Sequence, residues 1–190
     1  MKLFFILVII FFQFNFPSYA NSGPYATNEI GGRFTLTDHN GNLFDLQDAR
    51  GKLVLILIFF GYTSCPDVCP MELSTLASLL KRLGDDQSKV KTLFISIDPE
   101  TDTPEVLKRY VSFFSTDLLG LTGSRNAINS VTSMFQAGTA VSSTDRNVAK
   151  HSANLYMLGG DGKLLRIIPF GLPLEHIHKM IQIELKNPVT

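Results

Sequence analysis

Residues Leu53 to Phe60 form an unbroken apolar run of strand length, closed by Gly51 on one side and Gly61 on the other. Successive side chains of a strand point to opposite faces, so a run with no polar alternation has no face to give to water and must be covered on both. The chain is thereby restricted to architectures with a buried central strand. Met71, Leu73, Leu76, Leu79, Leu80 and Leu83 then recur at helical spacing, with Pro70 at the first turn, where a missing N–H is no loss. The spacing predicts a buried strand that feeds, through Gly61 to Cys69, a helix beginning near Pro70.

The alternation continues with a strand from Val90 to Ile97, a helix from Thr103 to Phe114, a short strand near Leu118 to Leu121 and a helix from Ser124 to Phe135. Thr103-Pro104-Glu105 is a helix start, a capping hydroxyl followed by proline. Gly138 to Ala149 has no apolar period and reads as a loop. Upstream, Phe34 and Leu36, then Asp38-His39-Asn40-Gly41, then Leu43, Phe44 and Leu46 flank an Asn-Gly turn of the hairpin kind. Downstream, Ala153 to Leu158 and Leu164 to Phe170 form a second hairpin through Gly159-Gly160-Asp161-Gly162, and a last amphipathic helix runs from about Leu174 to Leu185. Repeating βα units ending in a hairpin and a helix predict one α/β domain around a mixed central sheet flanked by helices, with an N-terminal β-hairpin.

Charge narrows the partners. Seventeen Lys+Arg balance seventeen Asp+Glu in 190 residues, and 18% of the chain is charged against 45% hydrophobic. A nucleic-acid partner would call for a basic excess, and an acidic disordered tail for fewer apolar residues. Lys2, the ten apolar residues Leu3 to Phe12, Pro17 and the triplet Ser18-Tyr19-Ala20 lay out a secretory signal peptide over residues 1–20, with cleavage expected after Ala20. Ten residues fall short of the ~20 that cross a bilayer as a helix, although Phe14 and Phe16 prolong the apolar character, which keeps an uncleaved anchor as the alternative. Residues 21–32 are expected to be a linker and 33–190 the folded domain. In an exported protein two cysteines meet oxidants, so a bystander role is disfavoured.

Those two are Cys65 and Cys69, in Cys65-Pro66-Asp67-Val68-Cys69, at the carboxyl end of the buried strand and just before the helix. Ligand and redox sites gather at that edge of α/β sheets. Free N–H groups and the dipole of a helix start favour anions, so both thiol pKa values are expected to fall. A spacing of four sets the sulfurs on one side of a helical turn with room for a soft ion such as Cu(I) or Zn(II), but two thiolates seldom close a protein metal site and a third donor is wanted. Of four histidines, His39 sits in a hairpin turn, while His176 and His178 point roughly 200° apart on a helix, and these three read as solvated or partly packed. His151 stands where the long loop meets the strand Ala153 to Leu158. If that strand pairs beside Leu53 to Phe60, His151 arrives at the cysteine loop. Neither cysteine is expected to supply core volume.

Three segments together resemble the SCO/SenC family of copper-binding, thioredoxin-like proteins: Gly61-Tyr62-Thr63-Ser64-Cys65-Pro66-Asp67-Val68-Cys69-Pro70, then Ile97-Asp98-Pro99-Glu100-Thr101-Asp102-Thr103-Pro104, then His151-Ser152 ahead of a strand and a Gly-Asp-Gly turn. The resemblance implies a thioredoxin-like fold, copper as Cu(I) or Cu(II), Cys65, Cys69 and His151 as its ligands, and a redox-active Cys65 and Cys69 pair. It further implies delivery of copper or electrons during assembly of the binuclear copper site of cytochrome c oxidase, with the copper-bearing subunit of the oxidase as partner. Asp98 is a candidate for an outer-shell hydrogen bond or a weak Cu(II) contact, set against the plainer reading of an acid capping the turn into Pro99. Many members keep a membrane helix or a lipid, whereas this chain has no cysteine near Ala20 to carry a lipid. The expected location is the bacterial periplasm, either free or held at the inner membrane.

The strongest rival is a thiol-disulfide oxidoreductase that reduces the cysteines of a target in the periplasm. Thioredoxin-like reductases usually place a cis-proline before the strand facing the cysteine motif. This chain has no proline between Pro104 and Pro169, and His151 stands near that position. A thiol peroxidase is a weaker reading, since Thr63 and Cys65 are separated by Ser64 alone rather than by two residues. A purely structural Cys65–Cys69 disulfide would close a very small ring and remove little chain entropy.

Overall fold

A computed structural model of the chain describes residues 30–49, 55–138 and 152–187. The expected leader 1–20, the expected linker as far as residue 29, and His151 with nearly all of the expected loop before it lie outside the described residues.

In chain order the elements are β1 (Thr35–Asp38), β2 (Leu43–Asp45), β3 (Leu55–Gly61), α1 (Val68–Leu83), β4 (Val90–Ser96), α2 (Pro104–Phe114), β5 (Leu118–Thr122), α3 (Arg125–Met134), β6 (Leu155–Gly159), β7 (Leu164–Ile168) and α4 (Leu174–Lys186). The seven strands make one mixed sheet in the order β2-β1-β5-β4-β3-β6-β7. β3, β4 and β5 run parallel, joined through α1 and α2, while β6 runs antiparallel to β3 with Phe59 opposite Leu155.

Every residue of β3 is buried, as its lack of alternation requires. Leu55, Leu57 and Phe59 pack with Leu73, Leu76 and Leu80 of α1, Leu107 of α2 and Ile177 of α4. Ile56, Ile58 and Phe60 face the other way, against Ile128 and Val131 of α3. Each such side chain contributes about 1.5 to 3 kcal/mol by leaving water, so this one strand anchors both layers.

Local chemistry sets the element ends. Thr103 caps α2 by accepting from the Val106 N–H at 3.4 Å, and Ser124 caps α3 by accepting from the Ala127 N–H at 3.2 Å. The first hairpin turns on Gly41 at φ 84°, which suits glycine, with the Asp38 carboxylate accepting from the Asn40 and Asn42 N–H groups. Two starts differ from the spacing. α1 begins at Val68, two residues before Pro70, because the first helical bond runs from the Met71 N–H to the Asp67 carbonyl and the proline needs no partner at its third position. β6 begins at Leu155 rather than Ala153, because the Ser152 N–H is drawn to the Ala137 carbonyl at 2.8 Å and the Asn154 N–H to the Ser152 hydroxyl at 3.1 Å.

Candidate metal and redox site

β3 ends at Gly61, whose carbonyl accepts from the Ile97 N–H at 2.8 Å. A Cβ there would stand 2.8 Å from Cys69 Sγ and 2.8 Å from Phe94 Cε2, so only glycine lets the sulfur lie against the strand end. The loop then turns at once, the Cys65 N–H donating to the Tyr62 carbonyl at 3.2 Å.

Because α1 starts at Val68, Cys69 lies inside its first turn, where backbone N–H groups have no helical acceptor. Asp67 makes no side-chain cap. The Cys65 sulfur takes that place, accepting from the backbone N–H groups of Asp67 and Cys69, from the Cys69 thiol and from the Tyr62 hydroxyl. Burial opposes ionisation of Cys65, yet these donors outweigh it and hold the thiol pKa below its ordinary value. Cys69 behaves in the opposite way. It is 0% exposed, and burial, helped by the neighbouring Cys65, pushes its pKa well up despite one bond from the Tyr62 N–H. A uniform lowering of both pKa values, expected from the helix start alone, is therefore corrected. The donors converge on Cys65, and Cys69 keeps its proton. The expectation that neither cysteine fills core volume also fails for Cys69, which belongs to the cluster containing Phe59, Leu73 and Phe94. Cys65 is half-buried and reaches solvent, and both thiols are free.

A buried acid fixes the loop from below. Asp102, 1% exposed, accepts from the Ser96 hydroxyl at 2.5 Å, the Thr63 hydroxyl at 2.5 Å and the Thr63 N–H at 3.0 Å. Burial raises its pKa against the lowering effect of those donors. The end of β4, the turn into α2 and the cysteine loop are thereby joined. The Thr63 hydroxyl is spent on this carboxylate, which disfavours the peroxidase reading.

A model of the SCO1/SenC family matches residues 22–186. The chain belongs to that family. The SCO2-like protein of Rickettsia prowazekii is 33% identical over 160 residues, which are 82% of this chain and 77% of that one. Copper-bound yeast Sco1 superimposes with a TM-score of 0.76 at 29% identity, covering 85% of this chain and 91% of the other. Copper-bound ScoI of Bradyrhizobium japonicum does so with a TM-score of 0.71 at 36% identity, covering 84% and 99%. The fold of this SCO1/SenC domain is thioredoxin-like.

Of the residues singled out from sequence, Cys65 and Cys69 are brought together and His151 lies outside the described residues. Asp98 is 5% exposed, and its carbonyl accepts from the Thr101 N–H at 3.1 Å and the Asp102 N–H at 2.9 Å, so it shapes the turn through its backbone. Its charge also reaches the site, raising the pKa values of Tyr62 and Asp102 along with their burial. The His39 ring accepts from the Gly120 N–H at 3.1 Å and ties the hairpin to β5, while His176 is exposed and His178 half-buried. Sequence reasoning missed Asp102 as a tether and Tyr62 as a donor. Both stand inside the quoted motifs, but nothing in their spacing says which hydroxyl reaches which acceptor.

Proposed function

We propose that this protein is an exported metallochaperone that binds copper and delivers it, with electrons where the target needs reducing, to the binuclear copper site of cytochrome c oxidase through the copper-bearing subunit. The observation that carries the reading is the placement of the two cysteines together at the strand end, Cys65 half-buried and Cys69 packed against Gly61. The donor chemistry fits the cargo: soft sulfurs select Cu(I), and an imidazole as third ligand keeps Cu(II) accessible. His151 is that third ligand in this proposal. β6 runs antiparallel to β3, so the residues leading into Leu155 approach the carboxyl end of β3, and Ser152 immediately follows His151. Two thiolates and one imidazole leave one negative charge in excess with Cu(I) and neutrality with Cu(II). Asp98 is assigned an outer-sphere role through its charge.

In the same proposal residues 1–20 are a signal peptide, 21–32 a linker and 33–190 the working domain, in the bacterial periplasm, free or held at the inner membrane. Among the described residues no helix is long and apolar enough to cross a membrane. Loading requires Cys69 to surrender its proton, so copper affinity is expected to fall as pH is lowered. Titration of the metal-free, reduced protein, followed by mass and absorption, should saturate at one copper per chain. Saturation at a trace of that value would defeat the proposal.

The unlike cysteines support thiol-disulfide exchange as a second activity. The Cys65 thiolate would attack a target disulfide, forming a mixed disulfide and expelling one target thiolate; the Cys69 sulfur, its proton passing to that leaving group, would then attack Cys65 and free the second. Two electrons go to the target and the protein is left with a Cys65–Cys69 disulfide. Reduced, metal-free protein given limiting iodoacetamide near neutral pH should be labelled at Cys65 at least about tenfold faster than at Cys69, because the thiolate is the nucleophile and Cys65 is half-buried where Cys69 is fully buried. Equal labelling of the two, read by peptide mass, contradicts the assignment of roles.

A further inference from the structure

We propose that Asp102 is a positioning residue for the cysteine pair, latching the loop between Gly61 and Cys69 through Thr63 so that both cysteines stay seated at the strand end. The latch is two bonds made by one residue: the Thr63 N–H donates to Asp102 Oδ2 at 3.0 Å and the Thr63 hydroxyl to Asp102 Oδ1 at 2.5 Å. Thr63 stands midway between Gly61 and Cys65. The neighbouring bonds, from the Cys65 N–H to the Tyr62 carbonyl and from the Met71 N–H to the Asp67 carbonyl, are local and would travel with the loop if it lifted. Thr63 instead ties it to a segment 39 residues further along the chain.

The far end of the latch is firm. Asp102 is buried, its N–H donates to the Asp98 carbonyl at 2.9 Å, and its Oδ2 also accepts from the Ser96 hydroxyl at 2.5 Å. Ser96 is the register partner of Gly61 in the parallel pairing of β3 with β4, and Gly61 is the residue against which Cys69 Sγ lies. The carboxylate is thereby anchored to the strand position beside the Cys69 seat. Cys65 packs on the cluster that contains Cys69, and Cys69 is fully buried, so a reagent reaches its sulfur only through a local opening. Sulfurs held in place before a metal arrives spare the binding step the cost of ordering them, which raises affinity. The role rests on Cys65 and Cys69 being the working pair, as proposed above.

Three variants separate the latch from plain stability. Thr63→Val removes the hydroxyl bond and nearly keeps the shape, Thr63→Ser keeps the bond, and Ser96→Ala takes from the same carboxylate a bond of the same length that does not involve the loop. In the reduced, metal-free full chain carrying Cys65→Ser, iodoacetamide should label Cys69 about tenfold faster with Thr63→Val, the scale of one lost hydrogen bond to a carboxylate, and within about twofold of the parent with Thr63→Ser or Ser96→Ala. With Cys65 restored, Thr63→Val should weaken Cu(I) binding by about tenfold against a chromogenic chelator, and Ser96→Ala by less than about threefold. If Thr63→Val does not fold, hydrogen exchange of the unsubstituted protein decides: the Thr63 amide and the Cys69 thiol should be protected to within about threefold of each other, since one opening releases both. A freely exchanging Thr63 amide beside a protected Cys69 overturns the latch, as do unchanged labelling in Thr63→Val and an equal rise in Ser96→Ala. Faster labelling with unchanged Cu(I) affinity overturns the positioning role. Faster labelling of Thr63→Val in a protein whose parent binds no copper upholds the latch and defeats the copper proposal.

Discussion

Replacing Cys65 and Cys69 together by serine is expected to abolish copper binding while the protein stays folded. A serine hydroxyl is a hard donor that does not ionise near neutral pH, so both soft ligands are lost at once and no remaining pair replaces them. The folding cost falls unevenly. Cys65 is half-buried beside solvent, so its substitution is nearly neutral. Cys69 is fully buried in the core with Phe59, Leu73 and Phe94, and a hydroxyl placed there costs about 1 to 3 kcal/mol unless it finds a partner. The Tyr62 N–H stands next to that position and offsets part of the loss. Copper content by mass and thermal unfolding of the variant check the two halves separately. Copper retained at the original stoichiometry contradicts the ligand assignment, and a chain that no longer folds returns the pair to a structural role.

How much of this was legible depended on which interactions are local. β3 could be read because none of its positions offers a polar side chain to water, and that leaves no other place for it. The starts of α2 and α3 could be read because Thr103 and Ser124 each cap through a residue three positions away. The start of α1 could not be placed, since proline is accepted anywhere in the first turn and nothing in the spacing chooses among its positions. The difference between the cysteines was equally hidden. It arises from the directions of the Asp67 and Cys69 N–H groups and from the closeness of Gly61 to one sulfur, all of which follow from that starting point. Asp102 read as one acid among several in a turn. Its tethering role depends on Thr63, 39 residues away, and only the parallel pairing of β3 with β4 brings the two together.

His151 carries the second large effect. Cu(II) is the harder ion of the couple and gains more from an imidazole nitrogen than Cu(I), which two thiolates already suit. His151→Ala is therefore expected to weaken Cu(II) binding by more than the roughly 10- to 100-fold typical of outer-sphere changes, with a smaller effect on Cu(I). Fold stability should be little altered, because the proposal gives this ring to the metal and not to the core. The direct test is an absorption titration of the wild-type and His151→Ala proteins with Cu(II). The wild type should develop a thiolate-to-copper charge-transfer band that saturates at one equivalent, and the variant should lose most of it. A variant with the same band, at the same intensity and stoichiometry, would contradict the three-ligand site.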